Sequence, residues 1–410
     1  MTAITQQPQP QPEVVLVPAT TRQKITRPLS IFVRALSRNR AGAIGFIGLV
    51  IYAIWIFIAP LFVPFDNIVR LDEIAAPPGS RDQLIVRGAD AETYRSLSDL
   101  AGKNVGIVAE TGGDVIVAPY ADSFTVDETR WRSGRGQESA LQDLVDGKID
   151  ALVIFSESVK REVTGHEAFS SLVVSNPTLG PAHLLGTDTQ GRDIFSHIIN
   201  GGTTLILTAM LAGLFSTFIA VILGSAAALV GGVFDNALTS IANFVLTIPA
   251  FPLLIVLASL LTLNNFVLLA MLIAALSWPV LMRAVRAQVL SLRERDYVEA
   301  AVALDLGLRH IILREILPNM MSFVAINFIF AVTSAMYQQV GLIFLGMAPI
   351  NDYTWGVMLY FGRTRGTLFS PDSASMVLSP VIAIALFQVC MVLFARSLEE
   401  LFDPRLRTSK

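Results

Sequence analysis

The sequence predicts an α-helical polytopic membrane protein, six transmembrane helices carrying an inserted α/β extracytoplasmic domain. Three observations predict it. Hydrophobic residues make up 53% of the chain and charged residues 15%, with a mean hydropathy of +0.59, too apolar for an ordinary soluble protein. Apolar runs of spanning length recur along most of the 410 residues. One stretch, 65 to 180, is charged and contains no such run.

The formal net charge of −3 gives no reason to expect nucleic acid as a partner, whereas membrane lipid is an expected one. Four His and the single Cys390 compose no metal cluster and no intramolecular disulfide. Cys390 lies in an apolar run and reads as a packed small side chain. No Walker motif, nucleophile elbow or metal spacing occurs, so no catalytic residue and no metal ligand is assigned. The chain is expected not to be an enzyme. No cleavable signal peptide is expected, because the first apolar run is long enough to span.

Residues 1–27 carry Pro8, Pro10 and Pro12 among Gln and read as a disordered cytoplasmic tail. In the segment 28–64, a short surface helix over Leu29–Leu36 precedes the first span, Gly42–Val63. Arg34, Arg38 and Arg40 place its start in the cytoplasm. In the insert, 65–180, strands are expected at Val105–Val108, Ala151–Phe155 and Leu172–Val174. Helices are expected at Val115–Ala121, Glu138–Val145 and Ser158–Val163. Alternating strands and helices imply an α/β unit.

Residues 181–204 read as an ion-paired amphipathic elbow on the outer membrane surface, built on Asp188, Arg192 and Asp193. No nucleophile and no His partner is expected beside them, so a catalytic carboxylate pair is set aside.

Spans follow at Leu205–Val230, Ile241–Leu263, Phe266–Leu281, Ser322–Leu345 and Met376–Ala395, within a five-helix core of 205–400. Pro249 and Pro252 break the third span, and Thr247 to Pro252 either line a water-filled path or merely kink the helix. Asn327, Thr333, Ser334, Gln338 and Gln339 in the fifth span either line such a path or bond helix to helix. The tail 401–410 is basic and expected inside, like the N-terminus.

Between the fourth and fifth spans lies 296–319, DYVEAAVALDLGLRHIILREILPN. Asp296 and Glu299 spell a capping box that would start a helix at Tyr297. Tyr297, Ala301, Leu304 and Leu308 fall on one predicted face, and Gly307 reads as a left-handed stop. A second helical turn passes Ile311 and Ile316 to Pro318. Arg283, Arg286, Arg293 and Arg295 flank the segment and mark the cytoplasmic side. A solvated interhelical loop would share this spacing.

Glu299-Ala300-Ala301, ending in Ile316-Leu317-Pro318, resembles the "EAA" coupling loop of permease subunits of bacterial ABC importers. The family's usual Gly is Asp305 here, with Gly307 two residues on. Either the bend has moved or Asp305 is left-handed. The run Gly186-Thr187-Asp188 to Gly191-Arg192-Asp193 is similar to the GTDxxGRD signature of the dipeptide, oligopeptide and nickel branch. Trp355-Gly356 and the terminal Asp403-Pro404-Arg405 are family-like too.

The resemblance implies the ABC importer type I permease fold in a bacterial inner membrane. It implies a second homologous permease subunit, two ATP-binding subunits holding ATP and Mg, and an extracytoplasmic solute-binding protein. Dipeptides or oligopeptides are the implied cargo, with nickel, glycosides or glutathione as alternatives. A membrane-anchored ligand sensor is a rival reading.

The insert stands outside that resemblance. Leu97–Lys103 and Ala140–Ala151 resemble one lobe of the solute-binding fold, whose cleft turn would be Glu110-Thr111-Gly112-Gly113. Ligand binding, docking of a partner and shielding of the outer mouth remain open roles.

Overall fold

A computed structural model describes residues 39–402 apart from 67–68, 71–72, 109–112, 130–135, 164–165, 262–264, 349–352 and 368–373. The expected surface helix 29–36, most of the cleft turn 110–113, Asn264 and the tail motif 403–405 lie outside the described residues.

The membrane helices are α1 (Arg40–Ile58), α4 (Ile194–Val230), the pair α5 (Gly232–Thr247) and α6 (Ala250–Leu260), α7 (Phe266–Arg293), α9 (Met321–Phe344) and α11 (Ser375–Phe402). The short helices α8 (Asp296–Ala303) and α10 (Trp355–Thr364) lie between them. The insert holds β1 (Ser80–Arg87), β2 (Asn104–Val108), α2 (Gly113–Val117), β3 (Thr125–Thr129), α3 (Gly136–Val145), β4 (Ala151–Phe155) and β5 (Leu172–His183). Among the described residues five helical stretches are long and apolar enough to cross a membrane, six if the α5–α6 pair is one span.

Each span has one apolar face outside and one inside. On α1, Ile44, Ile47, Ile51, Ile54 and Phe57 are exposed, as lipid-facing side chains should be. Its opposite face carries Gly42, Gly45 and Gly48, which meet α11. A Cβ at Gly45 would lie 2.6 Å from the Phe394 nitrogen, and one at Gly48 2.3 Å from Cys390 Sγ. Small residues bring the two helices close enough to gain packing that lipid cannot supply.

Three span boundaries differ from expectation. α4 begins at Ile194, so 194–204 are the first turns of the span and not a separate surface elbow. Asp193 causes this: it caps the helix, its carboxylate accepting from Ser196 N at 2.8 Å. α7 runs on to Arg293, well past Leu281. The expected third span is two helices bent 84° apart. Ile248 is extended there (φ −91°, ψ 127°), because a residue before proline is pushed out of the helical region.

The insert forms one sheet, ordered β3-β2-β4-β1-β5. β2 runs parallel to β3 and β4, while β1 is antiparallel to β4 and β5. Alternation along β1 feeds two apolar layers, Leu84 and Val86 into one and Ile85 into the other. On α3, Ala140, Leu141 and Leu144 are buried. Gly147, at φ +78°, ends its turn, and Lys148 N–H reaches back to Asp143 O at 2.9 Å.

Three strands were expected and five are present, with β5 running on to His183. β1 opens Ser-Arg-Asp-Gln and the sheet-edge β3 is Thr-Val-Asp-Glu-Thr. β3 offers no apolar run by which a buried strand is recognised, and in β1 the short run Leu84-Ile85-Val86 comes only after this polar start.

A bulky side chain in the α1–α11 seam has nowhere to go. Gly45→Leu is expected to cost about 1–3 kcal/mol by overpacking, while Ile47→Leu on the exposed face is neutral. Thermal unfolding of the two variants in detergent checks this.

Candidate functional site

The knuckle at 296–319 is built from α8, a reversal, and a wide turn leading into α9. α8 starts one residue before the capping-box reading. Arg295 is the N-cap, without a side-chain hydrogen bond, and its carbonyl accepts from Val298 N and Glu299 N. Asp296 and Glu299 sit in the first turn instead, where negative charge suits the helix dipole.

The buried face is Val298 and Ala301, packed with Met282, Val285 and Val289 of α7 and Ala227 and Ala228 of α4. Of the expected face only Ala301 is buried; Tyr297, Leu304 and Leu308 are exposed. The expectation assumed an unbroken helix, and α8 stops at Ala303.

Asp305 supplies the stop. It is left-handed at φ +49°, whereas Gly307 is extended at φ −53° and ψ 154°. Leu306 N–H donates to Ala301 O at 3.1 Å and Asp305 N–H to Val302 O at 3.0 Å, the double bond of a Schellman ending. Leu306 also packs into the cluster that buries Ala301, the apolar contact that accompanies this motif.

Beyond it, Ile311–Ile316 forms a π-type turn that buries Ile311 and Ile316. Leu317 closes it on Ile312 O at 2.9 Å, and Pro318 opens the next turn, where a missing N–H costs nothing. Glu299, Ala300 and Val302 stay exposed. An open cleft of about 640 Å³, lined by Arg293, Glu299, Asp305 and Leu308 among others, lies beside them. Two further ties hold this end of the bundle. Arg286 grips Asp235 by Nε–Oδ1 at 2.5 Å and Nη2–Oδ2 at 2.6 Å, and Arg293 donates to Ala228 O at 3.0 Å.

The path candidates divide. Asn327, Ser334 and Gln338 share one side of α9 by spacing. Gln338 Nε2 donates to Ser334 Oγ at 3.2 Å and to Ser277 Oγ of α7 at 3.3 Å. Thr247 and Pro249 are exposed at the α5–α6 break. A Cβ at Gly341 would touch the Phe251 ring at 2.9 Å, so α6 rests on α9 one turn from Gln338. Gln339 turns the other way and is 2% exposed, its Oε1 without a hydrogen bond among the described residues. Ser277 and Gln388, buried beside Met336, belong to the same polar inventory. Each is a lone polar residue in an apolar run, a signal available in the sequence.

At the far end, the signature Gly186 to Asp193 is a crossing point of two linkers. Arg70 N–H donates to Gln190 O at 3.0 Å, Ala75 N–H to Asp188 O at 2.9 Å and Thr187 N–H to Ala76 O at 3.1 Å. Gly191 must be glycine here: it is at φ +74°, and a Cβ would fall 1.9 Å from Arg70 O.

Asp188 is fully buried. Its carboxylate accepts from Arg192 Nε at 3.0 Å, Arg192 Nη2 at 2.7 Å and Tyr353 OH at 2.7 Å. Arg192 also stacks 4.0 Å from the Tyr353 ring centroid. Burial and the neighbouring carboxylate push the Tyr353 hydroxyl pKa up, so it remains a donor. The expectation that no His stands near is overturned: His183 Nδ1 lies 3.0 Å from Asp193 Oδ1, brought there by the unforeseen length of β5. Trp355 docks into α4 beside Gly201 and Gly202, its indole N–H donating to Ile198 O at 2.9 Å.

Comparison with known proteins agrees with this architecture. The family described as "Binding-protein-dependent transport system inner membrane component" matches residues 216–408. A provisionally named peptide permease protein of Brucella suis biovar 1 is 33% identical over 235 residues, 57% of this chain and 77% of that protein. The chain belongs to this family. As an ABC importer permease it is a multi-pass inner membrane protein and not itself the catalytic subunit. The oligopeptide transport system permease protein OppC of Mycobacterium tuberculosis is 30% identical, covering 56% of this chain and 78% of that one. Among solved structures, holo ArgBP from T. maritima is 26% identical, covering 26% of this chain and 43% of that chain, at a TM-score of 0.22. A periplasmic binding protein from Brucella ovis with glutathione bound is 15% identical, at 33% and 42% coverage and a TM-score of 0.23.

The left-handed Asp305 carries conformational strain that Gly would not. Asp305→Gly is expected to stabilise the permease by up to about 1 kcal/mol. Gly307→Ala should stay within about 0.5 kcal/mol, because nothing lies within 4 Å of its would-be Cβ. Denaturant melts of both variants test the assignment.

Proposed function

We propose that this permease moves dipeptides or oligopeptides into the cytoplasm by alternating access, driven through the knuckle 296–319. The observation that carries the reading is the seating of α8. Val298 and Ala301 are locked against α4 and α7, while Glu299, Val302, Leu304 and Asp305 face outward. A partner that grips the outer face therefore moves two spans together. Arg283, Arg286, Arg293 and Arg295 at this end put it in the cytoplasm, with both termini. The partners there are two ATPase subunits that bind ATP and Mg, beside a second permease. Asn327, Ser334, Gln338, Thr247 and Pro249 form the path, which favours solvated passage over tight binding. Peptide cargo is supported by the relatives, which are peptide and oligopeptide permeases by name.

Uptake of labelled dipeptides and oligopeptides by reconstituted complex tests the coupling. Glu299→Lys, and Ala301→Trp at the seat, are expected to abolish ATP-driven uptake while membrane insertion persists. Normal uptake by both variants would refute the reading.

The insert is proposed to dock the solute-binding protein on the outer side. Removing residues 80–175 should weaken capture of that protein at least about tenfold and leave the helical bundle folded, as circular dichroism would report.

A further inference from the structure

Two linkers tie the insert to the bundle; their described parts are 64–66, 69–70 and 73–79 leaving α1, and 184–193 returning to α4. A cluster of ionisable groups lies where they meet, used by neither the knuckle nor the path. Glu73 on the outgoing linker is 1% exposed, and Ser80 and Asp82 on β1 are 5% and 6% exposed. Ser80 and Asp82 share one face of the strand, and His183 on β5 is the cross-strand partner of Ser80.

His183 joins the two linkers. Its Nε2 is 3.2 Å from Glu73 Oε2 and its Nδ1 is 3.0 Å from Asp193 Oδ1, on the residue that caps α4. Arg70 stands 3.7 Å from Glu73 but is bonded to Asp66 at 2.7 Å. Neither oxygen of Glu73, nor Asp82 Oδ1, nor Ser80 Oγ has an aligned hydrogen bond among the described residues. Thr187 Oγ–H donates to the Glu73 carbonyl, which anchors the backbone and leaves the carboxylate to the His183 ion pair. Two buried carboxylates thus depend on one His, Glu73 by direct pairing and Asp82 by its charge alone, and Asp193 competes for it. Fully ionised, they repel in a site that water cannot screen. A single proton removes that cost. Among the described residues no group of three His, Cys, Asp or Glu could hold a metal.

We propose that Asp82 and His183, set against the Glu73 carboxylate, form a proton-operated clamp, which holds the insert against the start of α4 when these two are protonated and releases it when their protons leave. The groups that face it are Arg70 and Asp66 on the outgoing linker and Asp193 on the returning one. Burial, then the Glu73 charge, raises the Asp82 carboxyl from 3.8 to about 7. Burial opposes the charge on His183, yet the Asp193 and Glu73 carboxylates outweigh it and raise that pKa from 6.5 to about 9. Both groups therefore hold their protons more tightly in the docked form than in an opened, hydrated one. Docking is strongest at acid pH. It weakens as pH rises from 3.8 to about 7 for Asp82, and from 6.5 to about 9 for His183.

Hydrogen–deuterium exchange on the full-length permease in lipid nanodiscs tests this, read on residues 80–87 and 172–183 and corrected for intrinsic rates. Between about pH 5 and about pH 8, the wild-type opening equilibrium should rise at least about tenfold. Asp82→Asn and Glu73→Gln should each flatten most of that rise. If one variant fails to fold, the other decides. A wild-type junction indifferent to pH, or an unchanged slope in both variants, would overturn the clamp. So would protection restored at the higher pH by calcium alone, which would make the cluster a cation site.

Discussion

Val298 and Ala301 are the two buried side chains of α8, and on their contact with α4 and α7 the meaning of the knuckle depends. An eight-residue helix is too short to persist alone in water. It persists here because its apolar edge is buried on the bundle and its C-terminal carbonyls are closed by the Asp305 reversal. Behind that contact, α4 continues without a break to the outer junction.

The outer end is held by different physics. Buried polar groups must be satisfied by protein where water cannot reach them. Asp188, in the linker that leads into α4, meets that demand with Arg192 and Tyr353. Glu73 and Asp82 meet it less fully, Glu73 having only the His183 ion pair and a distant Arg70. The contrast separates a settled structural pair from a group whose charge state matters. It also links the insert to the transport bundle: the capping residue of α4, Asp193, is bonded to the last residue of the insert's sheet, His183.

Much of this was legible beforehand. Long apolar runs locate α1, α7, α9 and α11 because lipid allows no other backbone solution. The EAA run and the GTDxxGRD signature fall on the knuckle and the linker crossing. The alternatives at Asp305 could not be separated by sequence, since Asp and Gly both reach the left-handed region. β3 was missed because a polar edge strand lacks an apolar signature, and β1 because its short Leu84-Ile85-Val86 run is hidden behind a polar start. Gln339 carries the same residue type as Gln338, yet one step along the helix turns it from the polar face into the core.

The sequence by itself determined the class of protein, the approximate spans and the position of the knuckle 296–319. These follow from one-dimensional quantities: apolar length, flanking charge and motif spacing. Only the tertiary structure decided which knuckle face is buried, that the third span is bent by 84°, and that His183 and Glu73 meet across 110 residues of chain. Those outcomes depend on which surfaces touch, and contact between distant segments is not encoded in any local pattern.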